Sequence, residues 1–176
     1  MVYLMAGVYS TAAGQITVTG GDLVVSNGYC YLSDLGGSTG SMLVDGGNFS
    51  LWGASCYVGY DGVGTLAVKS GRLFAEYDVF VGSHAAGSGR LTIEGGTNEI
   101  FGDLRIADVT NSIGEVFITG GEVQIPDGTT YVGKSGSGRM TVSNVTVEAK
   151  HVTVAANGGS HGSLNLSGGG IALSGN

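Results

Sequence analysis

One segment of the chain, residues 114–125, predicts how the rest folds. It reads Gly114-Glu115-Val116-Phe117-Ile118-Thr119-Gly120-Gly121-Glu122-Val123-Gln124-Ile125. Apolar and polar residues alternate on both sides of the Gly-Gly pair, which is the pattern of two β-strands joined at a corner. A third alternating run, residues 130–133, follows before residue 138 opens a similar segment. The repeating unit therefore contains three short strands.

The same unit recurs along almost the whole chain. Each copy begins at an anchor glycine, and the anchors are Gly14, Gly40, Gly64, Gly89, Gly114, Gly138 and Gly162. The intervals between them are 26, 24, 25, 25, 24 and 24 residues, and a regular period of this size indicates a solenoid. We expect a partial N-terminal coil or lead-in at residues 1–13, six stacked coils at residues 14–161 and a partial C-terminal coil at residues 162–176.

Every coil supplies apolar residues at equivalent inward positions of its strands. In the first strand these are Ile16/Val18, Met42/Val44, Leu66/Val68, Leu91/Ile93, Val116/Ile118, Met140/Val142 and Leu164/Leu166. The second strand shows the same pattern with one polar member, Asn98, which we expect to hydrogen-bond a corner backbone group. The corner between these strands is Gly-Gly or Ser-Gly except at Asn144-Val145, where we expect a different bend.

These features predict an all-β protein built as a single-stranded parallel β-helix, or β-solenoid, with three short strands in each coil of about 24–26 residues. Strands this short cannot bury a core alone, so successive coils must stack with equivalent strands paired in parallel about 4.8 Å apart. The stack forms a rod of roughly 30 Å around a column of Val, Ile and Leu. The alternation excludes a helical protein, and the period is too short for a propeller.

The composition limits the partners. Seven Lys plus Arg against fourteen Asp plus Glu give a net charge of −7, which argues against a nucleic acid partner. No run reaches the about 18 apolar residues of a membrane helix, and residues 1–14 lack the basic region of a signal peptide, so we expect no membrane insertion. His84, His151 and His161 lack the spacing of zinc ligands, so we predict neither a metal nor another cofactor.

Stacking turns each repeat position into a column along the rod. Two columns should place opposite charges side by side and so fix the register, namely Arg90–Glu115–Arg139 and Asp45–Lys69–Glu94. Cys30 and Cys56 fall in one inward column, within reach of a disulfide, but they replace apolar residues of other coils and are expected to be free buried thiols.

The outward position of the third strand gives an aromatic strip, the most suggestive surface feature. Its members are Tyr31, Tyr57, Phe80, Arg105 and Tyr131. We expect the strip to be an aromatic ladder that stabilises the parallel strands, and a glycan-binding site is the alternative, because aromatic rings stack on sugar faces and Arg105 adds hydrogen bonds to hydroxyl or carboxylate groups.

Asp78 and Asp103 are expected to share a column beside this strip. Two stacked carboxylates could bind calcium or act as an acid pair, but Asp is also a common turn residue and no base is placed beside them. We therefore predict no catalytic residues and a chain that is not an enzyme.

The pattern Gly-x-Leu-x-Val-x-Gly-Gly-x-Val-x-Ile followed by Tyr-Val-Gly, as at residues 114–133, resembles the β-strand repeats of autotransporter passenger domains and related large bacterial surface proteins. The resemblance covers residues 14–173. It implies a right-handed parallel β-helix, secretion, and a stalk or adhesin role. It carries over no catalytic residues.

We expect a structural, extracellular or cell-surface β-solenoid that is a stalk or adhesin segment or the stacking subunit of a filament. Neither end shows a capping helix or a charged edge, so the open ends should be covered by flanking repeats of a larger chain or by end-to-end self-association. A glycan-binding or glycan-cleaving module that recognises a polysaccharide or host surface, and a phage fibre or tailspike segment, are the alternatives.

Overall fold

The computed structural model describes residues 1–174, and these form one parallel sheet of 17 strands and no helix. The strands are β1 Val2–Ala6, β2 Ala13–Val18, β3 Asp22–Ser26, β4 Gly28–Leu32, β5 Thr39–Trp52, β6 Ser55–Val58, β7 Val63–Ala75, β8 Val79–Val81, β9 Ser88–Ile93, β10 Thr97–Ile100, β11 Leu104–Ile106, β12 Ile113–Ile118, β13 Glu122–Val132, β14 Ser137–Ser143, β15 Thr146–Val154, β16 His161–Ser167 and β17 Gly170–Leu173. Gly175 and Asn176, the end of the expected C-terminal coil, lie outside the described residues.

Equivalent strands of successive coils pair in parallel. The anchor glycines pair in sequence, Gly14 with Gly40, then Gly64, Gly89, Gly114, Gly138 and Gly162. The strand β1 pairs with β4 and so occupies the third-strand position of the coil before the first anchor. The predicted β-solenoid is therefore confirmed, with about seven turns.

In several coils, two of the three strand segments join into one continuous strand. The strands β5 and β7 run through the first corner, and β13 and β15 run through the second. The first corner still turns on one left-handed residue in each coil, usually a glycine. At the exceptional corner, Asn144 takes this conformation with φ 59°, so the β-branched Val145 avoids it.

The third corner explains why each coil needs its anchor glycine. The first residue of this corner is left-handed in every coil, at Gly7, Ser33, Gly59, Gly82, Ala107, Gly133 and Ala155. Its backbone passes directly over the anchor, so that a Cβ added at Gly114 would lie 2.7 Å from the amide nitrogen of Ala107. The anchor glycines are thus required for close backbone approach.

The inward columns form one continuous core. Val, Ile and Leu side chains predominate, and most of those between the terminal coils are fully buried. Asn98 is buried among them, and its amide nitrogen donates hydrogen bonds to the carbonyl oxygens of Gly95 at 3.1 Å and Glu122 at 3.2 Å. The expected bond to a corner backbone group is confirmed by the contact with Gly95.

Cys30 and Cys56 are paired in register, fully buried and free, as predicted. A hydrogen bond with Cys56 and burial raise the pKa of the Cys30 thiol well above its usual value. Both effects favour the neutral thiol.

The two charged columns have different outcomes. Glu115 pairs with Arg90 and Arg139 in register as predicted, although only Arg90 comes within 4.0 Å of its carboxylate. The predicted contact between Asp45 and Lys69 is wrong. The register shifts at this corner, so Asp45 lies opposite Ser70, whose hydroxyl donates to it at 3.0 Å.

Candidate functional site

The outward surface of the third strands holds the predicted strip in one column. Tyr31 pairs with Tyr57, and the column then continues through Phe80 and Arg105 to Tyr131. We call these five residues the ladder. Strands β4, β6, β8 and β11 and the end of β13 position them, because odd and even residues of a strand face opposite sides.

The rings of the ladder stack on one another. The centroids of Tyr31 and Tyr57 are 4.9 Å apart at 9°, and those of Tyr57 and Phe80 are 4.5 Å apart at 7°. The Arg105 guanidinium covers the other face of Phe80 at 5.2 Å, and the Lys134 ammonium lies 5.7 Å from the Tyr131 ring centre. The Tyr57 and Phe80 rings therefore present edges to solvent, whereas sugars stack on faces.

Three further tyrosines surround the N-terminal end of the ladder. Tyr3 and Tyr29 lie beside Tyr31, with centroids 6.4 Å and 6.0 Å away, and Tyr60 meets Tyr31 edge-on at 5.5 Å. We call Tyr3, Tyr29, Tyr31, Tyr57 and Tyr60 the tyrosine cluster. Sequence reasoning missed this cluster, although the paired positions of Tyr3 and Tyr29, two residues before the ladder column, could have indicated it.

The tyrosine cluster keeps its central hydroxyls protonated. Burial, followed by Tyr57, Tyr60, Asp34 and Tyr29, raises the pKa of Tyr31 to about 12. Burial also raises the pKa of Tyr57, with Tyr29 and Tyr60 adding to the effect. These hydroxyls are therefore neutral donors and acceptors at ordinary pH, and neither is an activated nucleophile.

A charge cluster continues the same surface toward the C-terminal end. Arg105 contacts the carboxylates of Asp78 at 3.0 Å and Asp103 at 2.9 Å, and it lies 3.8 Å from Asp108, which Lys134 contacts at 2.7 Å. We call these five residues the charge cluster. All of its side chains are between about one sixth and just over one quarter exposed, so the pairs are better shielded than ordinary surface ion pairs.

The predicted column of Asp78 and Asp103 exists, and its carboxylates are already engaged. Asp78 accepts a hydrogen bond from the backbone amide of Asp103 at 2.8 Å, and Asp103 accepts one from Thr129 at 2.8 Å. Their other oxygens bind Arg105. Each aspartate thus ties the start of its third strand to the next coil.

His84 belongs to a small group beside the tyrosine cluster. Its Nδ1 lies 2.6 Å from an Asp61 carboxylate oxygen, and its ring stacks on Tyr60 at 4.9 Å and 15°. Within residues 1–174, no three His, Cys, Asp or Glu side chains converge so as to hold a metal ion.

A second aromatic patch lies at the second corner, and sequence reasoning missed it. Trp52 is 46% exposed and its ring centre lies 4.2 Å from that of Phe74, which Phe101 and Arg72 flank at 5.7 Å and 4.7 Å. Arg72 also binds Glu99 at 2.7 Å. Phe74 lies opposite Ser50 and Glu99, whereas Trp52 follows Leu51, which lies opposite Ala75, so the two rings belong to different columns and no single column indicated the patch.

The roles of these surfaces have to be derived from their own chemistry. No family model, curated protein or solved structure matches the chain. The described part of the chain also contains no helix long and apolar enough to cross a membrane. The polar and aromatic groups of these surfaces contact one another: the rings of the ladder stack, and the carboxylates of Asp78 and Asp103 bind Arg105 and backbone amides.

Proposed function

We propose that the chain is a structural segment of an extracellular or cell-surface β-solenoid protein, a stalk or adhesin shaft that holds other parts away from a surface. The observation that carries this proposal is the unbroken pairing of anchor glycines from Gly14 to Gly162. Sites for chemistry usually interrupt such regularity with a loop or a cleft, whereas the first strands of these coils stay in register along the whole column.

The side-chain contacts support the same role. Stacked aromatic rings and alternating charges on neighbouring strands stabilise a parallel ladder. In this proposal the ladder of Tyr31 to Tyr131 serves to stabilise the rod, and the chain performs no catalysis. The mutual covering of the Tyr57 and Phe80 faces favours this role over the glycan-binding alternative.

The proposed location rests on the resemblance of residues 114–133 and their copies to bacterial surface repeats, and on composition. The outward faces of stacked strands in such a rod are exposed to solvent. The chain has only seven basic residues and is acidic overall, which favours solubility and disfavours binding to nucleic acid.

The test is whether the natural protein is exposed on intact cells. An antibody raised against the purified chain is applied to whole cells of the source, before and after the cells are treated with an external protease. We expect surface labelling that the protease removes, with a cytosolic control protein untouched. Labelling that appears only after lysis overturns the proposal.

Two measurements address the alternatives. A mass measurement of the purified chain distinguishes a phage-fibre segment, which would be a trimer, from an unbranched rod. A polysaccharide array probed with the chain and with Tyr131→Ala tests glycan binding, because loss of a signal in the variant would assign the ladder to ligand recognition.

A further inference from the structure

A cavity of about 310 Å³ lies at the second corner of the coils that contain β4, β6 and β8. Its lining includes Asn27, Gly53, Ser55 and the rings of Tyr29 and Tyr77. Tyr29 belongs to the tyrosine cluster, and Gly53 directly follows Trp52, so the cavity lies between that cluster and the second aromatic patch. Ligand pockets have volumes of about 300–1,000 Å³, and the cavity is at the lower end of this range.

A missing side chain makes room at this corner. Asn27 and Gly53 occupy equivalent corner positions, since each is left-handed and follows one member of the paired residues Ser26 and Trp52. Gly53 has no side chain, and the Asn27 Oδ1 atom lies 2.8 Å from where a Cβ of Gly53 would be. The Asn27 amide group therefore lies against the space that Gly53 leaves open.

Two exposed aromatic rings stand at the same corner. Trp52 is 46% exposed and Tyr77 is 53% exposed, although a tryptophan side chain is highly buried on average. The Trp52 ring packs on Phe74 of the next coil, 4.2 Å away, so its exposure falls on the rest of the indole. In the preceding coil Trp52 is paired with Ser26, whose small side chain leaves the indole uncovered. The corner thus offers flat apolar surface to solvent, unlike the inner rings of the ladder.

The polar groups of the cavity are neutral. Asn27 supplies a carbonyl oxygen and an amino group, and Ser55 supplies a hydroxyl that both donates and accepts hydrogen bonds. No Lys, Arg, Asp or Glu side chain lines the cavity within residues 1–174. The Glu76 carboxylate is held beside it by a hydrogen bond from the Gly53 amide at 2.6 Å, and this charge would repel an anion.

These features suit a ligand with apolar faces, several hydroxyl groups and no charge, which is the chemistry of a neutral sugar. We propose that the cavity binds one unit of a neutral glycan and that the adjoining unit stacks on the exposed face of Trp52. The Asn27 amide and the Ser55 hydroxyl then hydrogen-bond the hydroxyls of the first unit. A purely apolar protein segment fits less well, because it would bury these two polar groups without partners.

This inference rests on the surface role proposed above and names the class of ligand to which such a rod would adhere. The site is separate from the ladder, whose inner rings present only their edges. A glycan bound here would lie across the second corner and leave the ladder free to stabilise the third strands.

The first experiment uses Trp52 as the reporter. It is the only tryptophan of the chain, so the tryptophan fluorescence comes from the proposed contact itself. The probes are the linear hexasaccharides of cellulose, starch, chitin and mannan, all of them neutral, with polygalacturonate as the anionic control. We expect at least one neutral probe to change the emission with a Kd on the order of 1 mM or lower, and polygalacturonate to have no effect.

Substitutions then locate the site, with binding of the responding probe measured by calorimetry. Trp52→Ala should weaken binding at least about tenfold, and Trp52→Tyr, which keeps an aromatic face, should weaken it less. Asn27→Gly keeps the left-handed backbone and should weaken binding about three- to tenfold, because it removes the amide. Tyr9→Ala, at a tyrosine that is exposed elsewhere on the rod, is the control and should keep the Kd within about twofold.

The dependence on salt tests the charge of the ligand. Because neither the cavity lining nor a neutral glycan is charged, the Kd should change less than about twofold between about 0.05 M and about 0.5 M sodium chloride. A Kd that rises steeply with salt would show that an ion pair holds the ligand and would contradict the proposed chemistry.

Three further results overturn the proposal. These are fluorescence that no neutral probe changes at concentrations of about 10 mM, a Kd that is the same for Trp52→Ala as for the unmodified chain, and tighter binding of polygalacturonate than of any neutral probe. Circular dichroism of each variant verifies that the coils are intact. Absent glycan binding together with protease-sensitive surface labelling would reject this site and retain the surface rod. Glycan binding by a protein found only inside cells would retain the site and reject the proposed location.

Discussion

The Arg105 guanidinium lies 5.2 Å from the centre of the Phe80 ring and also contacts Asp78 and Asp103. One side chain therefore ends the stack of aromatic rings and joins it to the charge cluster. The paired position on the next coil is Tyr131, so the aromatic column resumes beyond it. We therefore expect Arg105 to contribute more to the stability of the third strands than an ordinary surface arginine does.

Replacing Arg105 with alanine should lower the free energy of unfolding by about 1–3 kcal/mol, because partly buried carboxylates would lose their shared cation. Urea unfolding followed by circular dichroism measures the loss. Arg139→Ala is the control, since its guanidinium lies 5.9 Å from the Phe117 ring and forms no ion pair within residues 1–174. We expect the control to change stability by less than about 0.5 kcal/mol. Equal losses in both variants would contradict this assignment.

Removing a ring from the ladder should also destabilise the rod. Tyr57 stacks between Tyr31 and Phe80, and each such pair contributes about 0.5–1.5 kcal/mol beyond its buried area. We expect Tyr57→Ala to cost about 1–3 kcal/mol, whereas Tyr57→Phe keeps the stack and changes stability little. A midpoint of thermal unfolding that falls as far for the phenylalanine variant as for the alanine variant would show that the hydroxyl, not the stack, matters.

Alanine at an anchor position should disrupt the third corner. At Gly114 the new Cβ would lie 2.7 Å from both the Ala107 nitrogen and the Ile106 Cγ2 atom, so the backbone would have to move. We expect Gly114→Ala to lower the free energy of unfolding by about 1–3 kcal/mol. At Gly20 a Cβ meets no atom within 4 Å, so Gly20→Ala should be neutral or slightly stabilising. The prediction fails if the two variants unfold at the same urea concentration.

The tyrosine cluster should make the protein sensitive to alkali. The pKa of Tyr31 is about 12 in the folded protein against an ordinary value of 10.0, so the folded state holds this proton more tightly than the unfolded chain. The resulting stability is complete below pH 10 and is lost as the pH rises toward 12. We expect Tyr31→Phe to flatten the fall in stability over this range. Tyr9→Phe, at a 72% exposed residue, should leave the fall unchanged.

The native thiols should react only when the coils open. A hydrogen bond with Cys56 and burial hold the pKa of Cys30 well above its usual value, and the thiolate is the form that attacks an alkylating reagent. We expect mass spectrometry to show unmodified Cys30 and Cys56 after iodoacetamide treatment of the native chain, and two adducts in urea. Rapid modification in buffer would mean that this core column opens easily.

Periodicity was sufficient to predict the coils and the register of their strands outside the corners. Each anchor from Gly14 to Gly162 marks one turn, and alternation on either side assigns the inward residues without further information. The column of the ladder and the column of Asp78 with Asp103 were predicted in the same way, by comparing equivalent positions of successive repeats. These features depend on the repeat, and the repeat is visible in the sequence.

Corners were harder to predict, because a single inserted or deleted residue changes which side chains meet. Asp45 lies opposite Ser70 instead of Lys69 because the register shifts between Val44 and Asp45, where Lys69 is an extra residue in the neighbouring strand. Tyr60 reaches the ladder and His84 through the third corner, whose length differs between coils. The backbone approach over each anchor glycine was likewise not evident until the left-handed corner residues were located.

The direction of the hydrogen bonds determines how this rod responds to tension. Strands run across the rod, so the bonds between coils lie along its axis. A force that pulls the two termini apart loads every ladder between coils, and it peels away the outermost coil first, because that coil has a neighbour on one side only. Each coil of 24 residues would release up to about 80 Å of extended chain. The protein would lengthen stepwise under load and would limit the force transmitted through it.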